Sequence, residues 1–129
     1  MFDEADPVLG RVRAFALAFP DAAEKISHGH PAFFTTKVFA YYGGSVKVEG
    51  SYRRHERSVL VLVDPDERVV LLEQNRCYVP AYLGGYGWIG VDLVDDTDWD
   101  EIDELLDASY RRTAGPRRVA VLDGRASGR

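Results

Sequence analysis

A chain of 129 residues, 46% hydrophobic and 12% aromatic, is one ordinary domain with enough apolar mass for a ring-rich core. Its formal net charge of -5 opposes non-specific binding to nucleic acid, which depends on neutralising phosphates, so only a local basic face would overcome that balance. The one cysteine, Cys77, rules out an intrachain disulfide, and no apolar run approaches the ~18 residues of a membrane span.

Asp3, Glu4 and Asp6 stand where a signal peptide would carry positive charge, which leads us to expect a soluble, cytoplasmic protein without a membrane partner. Asp6 is placed to cap a first helix and Pro7 suits its first position. Leu9, Val12, Phe15, Ala16 and Phe19 recur at helical spacing, and Pro20 is expected to end the helix. Glu24–His28 reads as a short strand broken at His30-Pro31. Phe33–Tyr42 reads as one strand, Gly43-Gly44 as a turn, and Ser45–Glu49 as a half-buried strand with Val46 and Val48 on one side.

Tyr52–Arg57 is expected to be a polar connection and Ser58–Val63 a central strand. Asp64-Pro65-Asp66-Glu67 has the form of a helix start, with Asn75 as its stop, while Val69-Val70-Leu71-Leu72 reads equally as strand, so the helix rests mainly on the cap. Tyr78–Gly87, with Pro80, Gly84, Gly85 and Gly87, reads as a loop. Trp88–Leu93 reads as a strand with Trp88 and Gly90 on one side and Ile89, Val91 and Leu93 on the other. In the last helix Asp98 and Glu101 have capping spacing, and Trp99, Ile102, Leu105, Leu106 and Tyr110 form one stripe. Gly115-Pro116 ends it. We therefore expect one domain over residues 1–116 and an arginine-rich tail over 117–129, mobile at its end. Short turns between strands imply an antiparallel sheet, and helices over one face give a two-layer α+β domain.

Gly29, His30, Pro31 and Phe33, then Lys37, Phe39 and Ala40, then Pro80, Tyr82 and Trp88, and finally Ser109 and Tyr110 occur in an order that resembles the MmcQ/YjbR-like family. The likeness covers roughly residues 8–112. It departs at Phe34-Thr35-Thr36, where the family commonly has a glycine turn, and after Gly115. The resemblance implies an α+β fold similar to type III secretion chaperones, and it brings the label of a DNA-binding protein.

Each candidate chemistry has a plain structural alternative. His28 and His30 could share a strand face as metal ligands, but a site would need His55 or Cys77 as well, and the spacing is not a metal pattern; His30 more simply orders the turn before Pro31. Cys77 beside Arg76 would favour thiolate, yet nothing local supplies a base, so it reads as a small buried hydrophobe. Tyr52, Arg53, Arg54, His55, Glu56 and Arg57 could clamp phosphates together with Arg117, Arg118, Arg125 and Arg129, or simply keep a sheet end solvated. The acidic run from Asp95 to Asp107 reads as a solvated helix face.

Tyr78, Tyr82, Tyr86 and Trp88 among glycines form either a stacking platform for a ligand or a plug on the core. A ligand site, if built, lies between this loop and the His30-Pro31-Phe33 turn, with Lys37 as an anion contact. No phosphate loop, catalytic triad order or dinucleotide fingerprint is visible. No catalytic residue, metal or cofactor is assigned. The expectation is a non-enzymatic binding module, with nucleic acid as the ligand the resemblance suggests. A protein-interaction domain is the alternative, and a small-molecule enzyme using His30, Tyr82 and Trp88 the weaker one.

Overall fold

The computed structural model describes residues 2–127. Helix α1 (Pro7–Ala16) starts where the cap chemistry puts it, with the Asp6 carboxylate accepting from the Val8 N–H at 3.0 Å. It ends at Ala16 rather than at Pro20; Phe19 keeps the apolar phase but is buried from the turn that follows. Five strands follow the hairpin logic: β1 (Ala23–Ser27), β2 (His30–Phe34), β3 (Val38–Val48), β4 (Ser51–Leu62) and, after α2 (Pro65–Leu72), the two-residue β5 (Cys77–Tyr78). Strand β6 (Trp88–Asp92), α3 (Trp99–Thr113) and α4 (Pro116–Ser127) complete the chain. The six-stranded sheet is antiparallel throughout, in the order β1-β2-β3-β4-β6-β5.

Three expectations are corrected by this topology. Phe33–Tyr42 is not one strand: the chain turns at Thr35–Lys37, so that Phe34 pairs with Val38 across a hairpin without glycine. Gly43-Gly44 is not a turn but lies inside β3, and the turn comes at Glu49-Gly50, whose φ values of 50° and 81° make a two-residue left-handed loop. Tyr52–Arg57 is not a connection, because it belongs to β4 and pairs with the far half of β3. Its polar sequence reflects a hairpin arm that projects beyond the helices. The segment after Gly115 is helical over the described residues: Gly115 takes φ 90° and α4 starts at once. Arg129 lies outside the described residues.

The sheet divides the apolar residues between two sides. Phe33, Ala40, Tyr42, Val59, Val61, Ile89 and Val91 form the main core with Leu9 and Val12 of α1, Leu71 of α2 and Ile102, Leu105, Leu106 and Tyr110 of α3; Leu122 of α4 packs at its edge. Among the described residues the opposite face carries no α-helix. It holds a smaller cluster of Leu60, Tyr78 and Trp88, with Val38, Tyr41, Val46, Leu62 and Leu83 against it. The alternation of β6 thus sends Trp88 to one side and Ile89 and Val91 to the other.

Candidate functional site: a strapped cavity on the open face of the sheet

The helix-free face is crossed by the segment between Tyr78 and Trp88. Its backbone is tied down along its length. The Ala81 N–H donates to the Ser45 carbonyl at 2.7 Å, Gly84 N–H to the Pro80 carbonyl at 2.8 Å, and Tyr86 N–H to the Leu83 carbonyl at 3.0 Å. From α2, Arg68 donates to the carbonyls of Gly84 and Trp88. Tyr82 sits at φ 67°, a left-handed conformation uncommon outside glycine. Its ring stacks on Tyr52, with centroids 6.0 Å apart and planes at 18°, and the two hydroxyls meet at 2.8 Å. A strap so anchored holds its side chains over the sheet instead of collapsing onto it.

Beneath this strap lies a cavity of about 550 Å³. Tyr41 and Leu60 form its floor with the bare backbone of Gly43 and Gly44. Ser27, His28 and His30 close one side, and Pro80, Ala81, Tyr82 and Leu83 the other. Its size falls within the range of about 300–1,000 Å³ usual for small-molecule sites. No lysine, arginine, aspartate or glutamate lines it. Its polar groups are two imidazoles, two serines and two phenols, among apolar walls.

The floor is shaped by the irregularity in β3. Tyr42 pairs with Val59 but Gly44 with His55, so two steps along β3 oppose four along β4. Gly43 has φ 83°, and a Cβ there would meet the His30 Nδ1 at 3.0 Å and the Glu56 carbonyl at 3.3 Å. A Cβ on Gly44 would lie 2.6 Å from the Tyr78 hydroxyl. The glycine pair therefore lets a histidine and a tyrosine pack on naked backbone. His30 Nδ1 stands 3.2 Å from the Tyr42 carbonyl, which can only accept, so the proton sits on Nδ1 and Nε2 keeps its lone pair. Burial lowers the His30 pKa, only partly offset by that carbonyl, so the ring is neutral at pH 7. Burial likewise raises the Tyr41 pKa.

A buried network supports the floor. Ser58 Oγ donates to the His55 carbonyl at 2.7 Å, so its contact of 2.6 Å with Tyr78 must be donated by the phenol. Burial pushes the Tyr78 pKa far up and keeps that phenol protonated. His55 stacks on the Tyr78 ring at 4.0 Å and its Nδ1 meets Asp92 at 2.7 Å.

The residues singled out in the sequence scatter across this arrangement. His30 and Tyr82 line the cavity. Trp88 stands behind its wall with its ring edge-on to Tyr41, centroids 5.3 Å apart. Phe33 is fully buried in the main core on the other side of the sheet, and Lys37 is exposed at the β2–β3 turn. Leu60, Tyr41, Ser27, Ser45 and the glycine pair were not anticipated as lining; the one available signal was a glycine pair inside a strand-like run. Cys77 is half-buried, and burial raises its thiol pKa despite Arg76, so the thiol form is favoured. Among the described residues no group of three or more His, Cys, Asp or Glu side chains is placed to hold a metal ion. No helix among them is long and apolar enough to cross a membrane.

The arginines form two separate sets with their own partners. On β4, Arg54 lies 3.8 Å from Glu56, Arg57 reaches Asp6 at 3.3 Å, and Arg53 is exposed. On α4, Arg118 pairs with Asp21 at 3.1 Å, Arg125 donates to the Ala18 carbonyl, and Arg117 is exposed. The acidic run around α3 faces solvent for the most part, with Glu101 bound to Arg76 and Asp107 to Arg111.

An antiparallel sheet with helices on one face and a strapped cavity on the other defines a two-layer α+β domain. Residues 17–112 match the YjbR family model, so the chain belongs to the YjbR family. Two solved structures share the fold. A Pseudomonas syringae protein from a structural genomics programme aligns with a TM-score of 0.62 at 16% identity, over 81% of this chain and 97% of its own. A Deinococcus radiodurans protein with a DUF419 domain aligns with a TM-score of 0.57 at 17% identity, over 79% of this chain and 75% of its own. No curated protein matches the chain.

Proposed function

We propose that this protein is a non-enzymatic binding module whose site is the strapped cavity, and that its ligand is an uncharged molecule or side chain with an apolar body and a hydrogen-bonding edge. The observation that carries this reading is the lining itself. A concave space of about 550 Å³ lies under the strap and presents imidazole, hydroxyl and phenol groups, with no Lys, Arg, Asp or Glu in its lining. A charged ligand entering it would lose hydration with no counter-charge in return. Binding there would place an apolar group on Leu60 and Leu83 and polar atoms near His30, Ser27 and Ser45.

The test is a titration of the ¹⁵N-labelled protein with a panel of neutral and charged aromatic fragments, followed by amide chemical shifts. Saturable changes clustered at Gly43, Gly44, Ser45 and Ala81 with the neutral members support the reading. Nucleic acid at the β4 arginines and a protein segment along the β1 edge are the competing readings. A short DNA duplex that shifts Arg53 and Arg54, or fragments that leave the four cavity amides unmoved, would displace ours. The DNA reading has the weaker support because Arg54, Arg57 and Arg118 each already face a carboxylate.

A further inference from the structure

We propose that Tyr52 and Tyr82 form an oxidative cross-linking site, at which a small one-electron oxidant joins the two rings into dityrosine and seals the strap to the β3–β4 hairpin arm. The pair brings two phenols into direct contact. The rings lie almost parallel, with centroids 6.0 Å apart and planes at 18°, and the hydroxyl oxygens meet at 2.8 Å. The ortho carbons are one bond from the carbons that bear those oxygens. Among the described residues this is the one pair of tyrosines in ring contact. Both rings are open to a dissolved oxidant, Tyr52 at 50% and Tyr82 at 80% exposure.

The chemistry balances without any group from the protein. Each phenol gives one electron to the oxidant and one proton to water. The two phenoxyl radicals couple through their ortho carbons, forming one C–C bond. The two hydrogens on those carbons then move to the oxygens as the rings regain aromaticity, and the chain is lighter by two hydrogen atoms. The hydrogen bond with Tyr52 raises the pKa of Tyr82, so Tyr82 starts as a phenol and its electron leaves together with a proton.

Thiol and thioether sinks for the oxidant are few. The chain has one cysteine and one methionine, and Cys77 is held as the less reactive thiol by burial. Tyr86 is equally exposed at 80% but stacks on no other ring among the described residues. The consequence is local. Tyr82 sits on the strap between Ala81 and Leu83, so the new bond fixes the cavity roof to β4 covalently.

The experiment exposes dilute protein to photogenerated tris(bipyridyl)ruthenium(III) with persulfate, and reads dityrosine fluorescence, intact mass and cross-linked peptides. The expected product is a monomer lacking two hydrogens, with the peptides containing Tyr52 and Tyr82 joined. It should be lost in Tyr52→Phe and in Tyr82→Phe, both exposed positions that keep their rings, and retained in Tyr86→Phe. Three results would overturn the proposal. They are cross-links found only between separate molecules, an intramolecular product that survives in Tyr82→Phe, and a chain left unmodified while free tyrosine in the same tube couples.

Discussion

The Ser109 hydroxyl of α3 accepts from the Leu62 N–H at 2.9 Å and, in the same position, donates to the Phe39 carbonyl at 2.5 Å. It bridges β4 and β3 just past the Ala40–Val61 pair, where their mutual pairing stops. One fully buried side chain thus closes the end of the central hairpin and fixes α3 against it. Ser109→Ala would leave a strand N–H and a carbonyl unpaired in an apolar setting. We expect a loss of about 1–3 kcal/mol. It is read as a lower urea midpoint with an unchanged m value. A midpoint equal to wild type would show that water reaches this end of the sheet.

Asp6 joins α1 to the same sheet. Its carboxylate caps the helix, accepts from the Tyr42 hydroxyl at 2.6 Å and faces Arg57. Burial alone would raise its pKa, but the Tyr42 and Val8 hydrogen bonds and the Arg57 charge outweigh it, and the pKa falls below its ordinary 3.8. A depressed carboxylate stabilises the fold above its unfolded value, and that contribution disappears as pH falls through the folded value. Asp6→Asn keeps a capping oxygen but removes the charge. The variant should be less stable than wild type by about 1 kcal/mol at neutral pH. The gap should close below about pH 4. Unfolding curves across pH 2–7 give the answer, and a gap constant with pH would mean that the charge contributes nothing.

Tyr78 lies flat on the backbone of Gly90, its cross-strand partner. A Cβ at position 90 would fall 2.2 Å from the ring Cζ, and the ring cannot withdraw because His55 stacks on its other side. Gly90→Ala should therefore cost about 1–3 kcal/mol by overpacking. Combined with Tyr78→Leu, the added methyl should cost less than it does alone, since the two positions share one space. Additive losses in this double-mutant cycle would place the strain elsewhere in β6.

Much of this architecture is legible in the sequence, and the failures share a cause. The caps at Asp6, Asp64 and Asp98 are local chemistry and stand where the sequence puts them, each side-chain oxygen accepting an N–H in the first turn. The α3 stripe is also local, since its period alone decides which residues face the sheet. Gly43-Gly44 misleads because glycine serves two purposes, reversing a chain and admitting a neighbour against it. Only tertiary contact with His30 and Tyr78 tells the two apart. The polar stretch Tyr52–Arg57 misleads because a hairpin arm beyond the helices needs no apolar face to form strand. The cavity was pointed to by its two rims, His30 and Tyr82, but its floor was hidden. Tyr41 and Leu60 read as ordinary alternating strand residues until the helix-free side of the sheet is known.

Filling the cavity separates a ligand site from a packing defect. Leu60 is 4% exposed and its side chain reaches under the strap toward Gly44. Leu60→Trp would put a ring into the open volume, as would Ala81→Trp from the strap side. If the space is a binding site, each variant should weaken the best neutral fragment by tenfold or more, or about 1.4 kcal/mol. Arg53→Ala and Arg54→Ala should leave that affinity within twofold, since neither arginine lines the cavity. Isothermal titration measures both, with circular dichroism to establish that the tryptophan variants fold. If the space is instead a defect, filling it stabilises the chain and fragments bind no better to wild type than to the filled forms. An affinity that falls with the arginine variants and ignores both tryptophans would move the site to the β3–β4 arm.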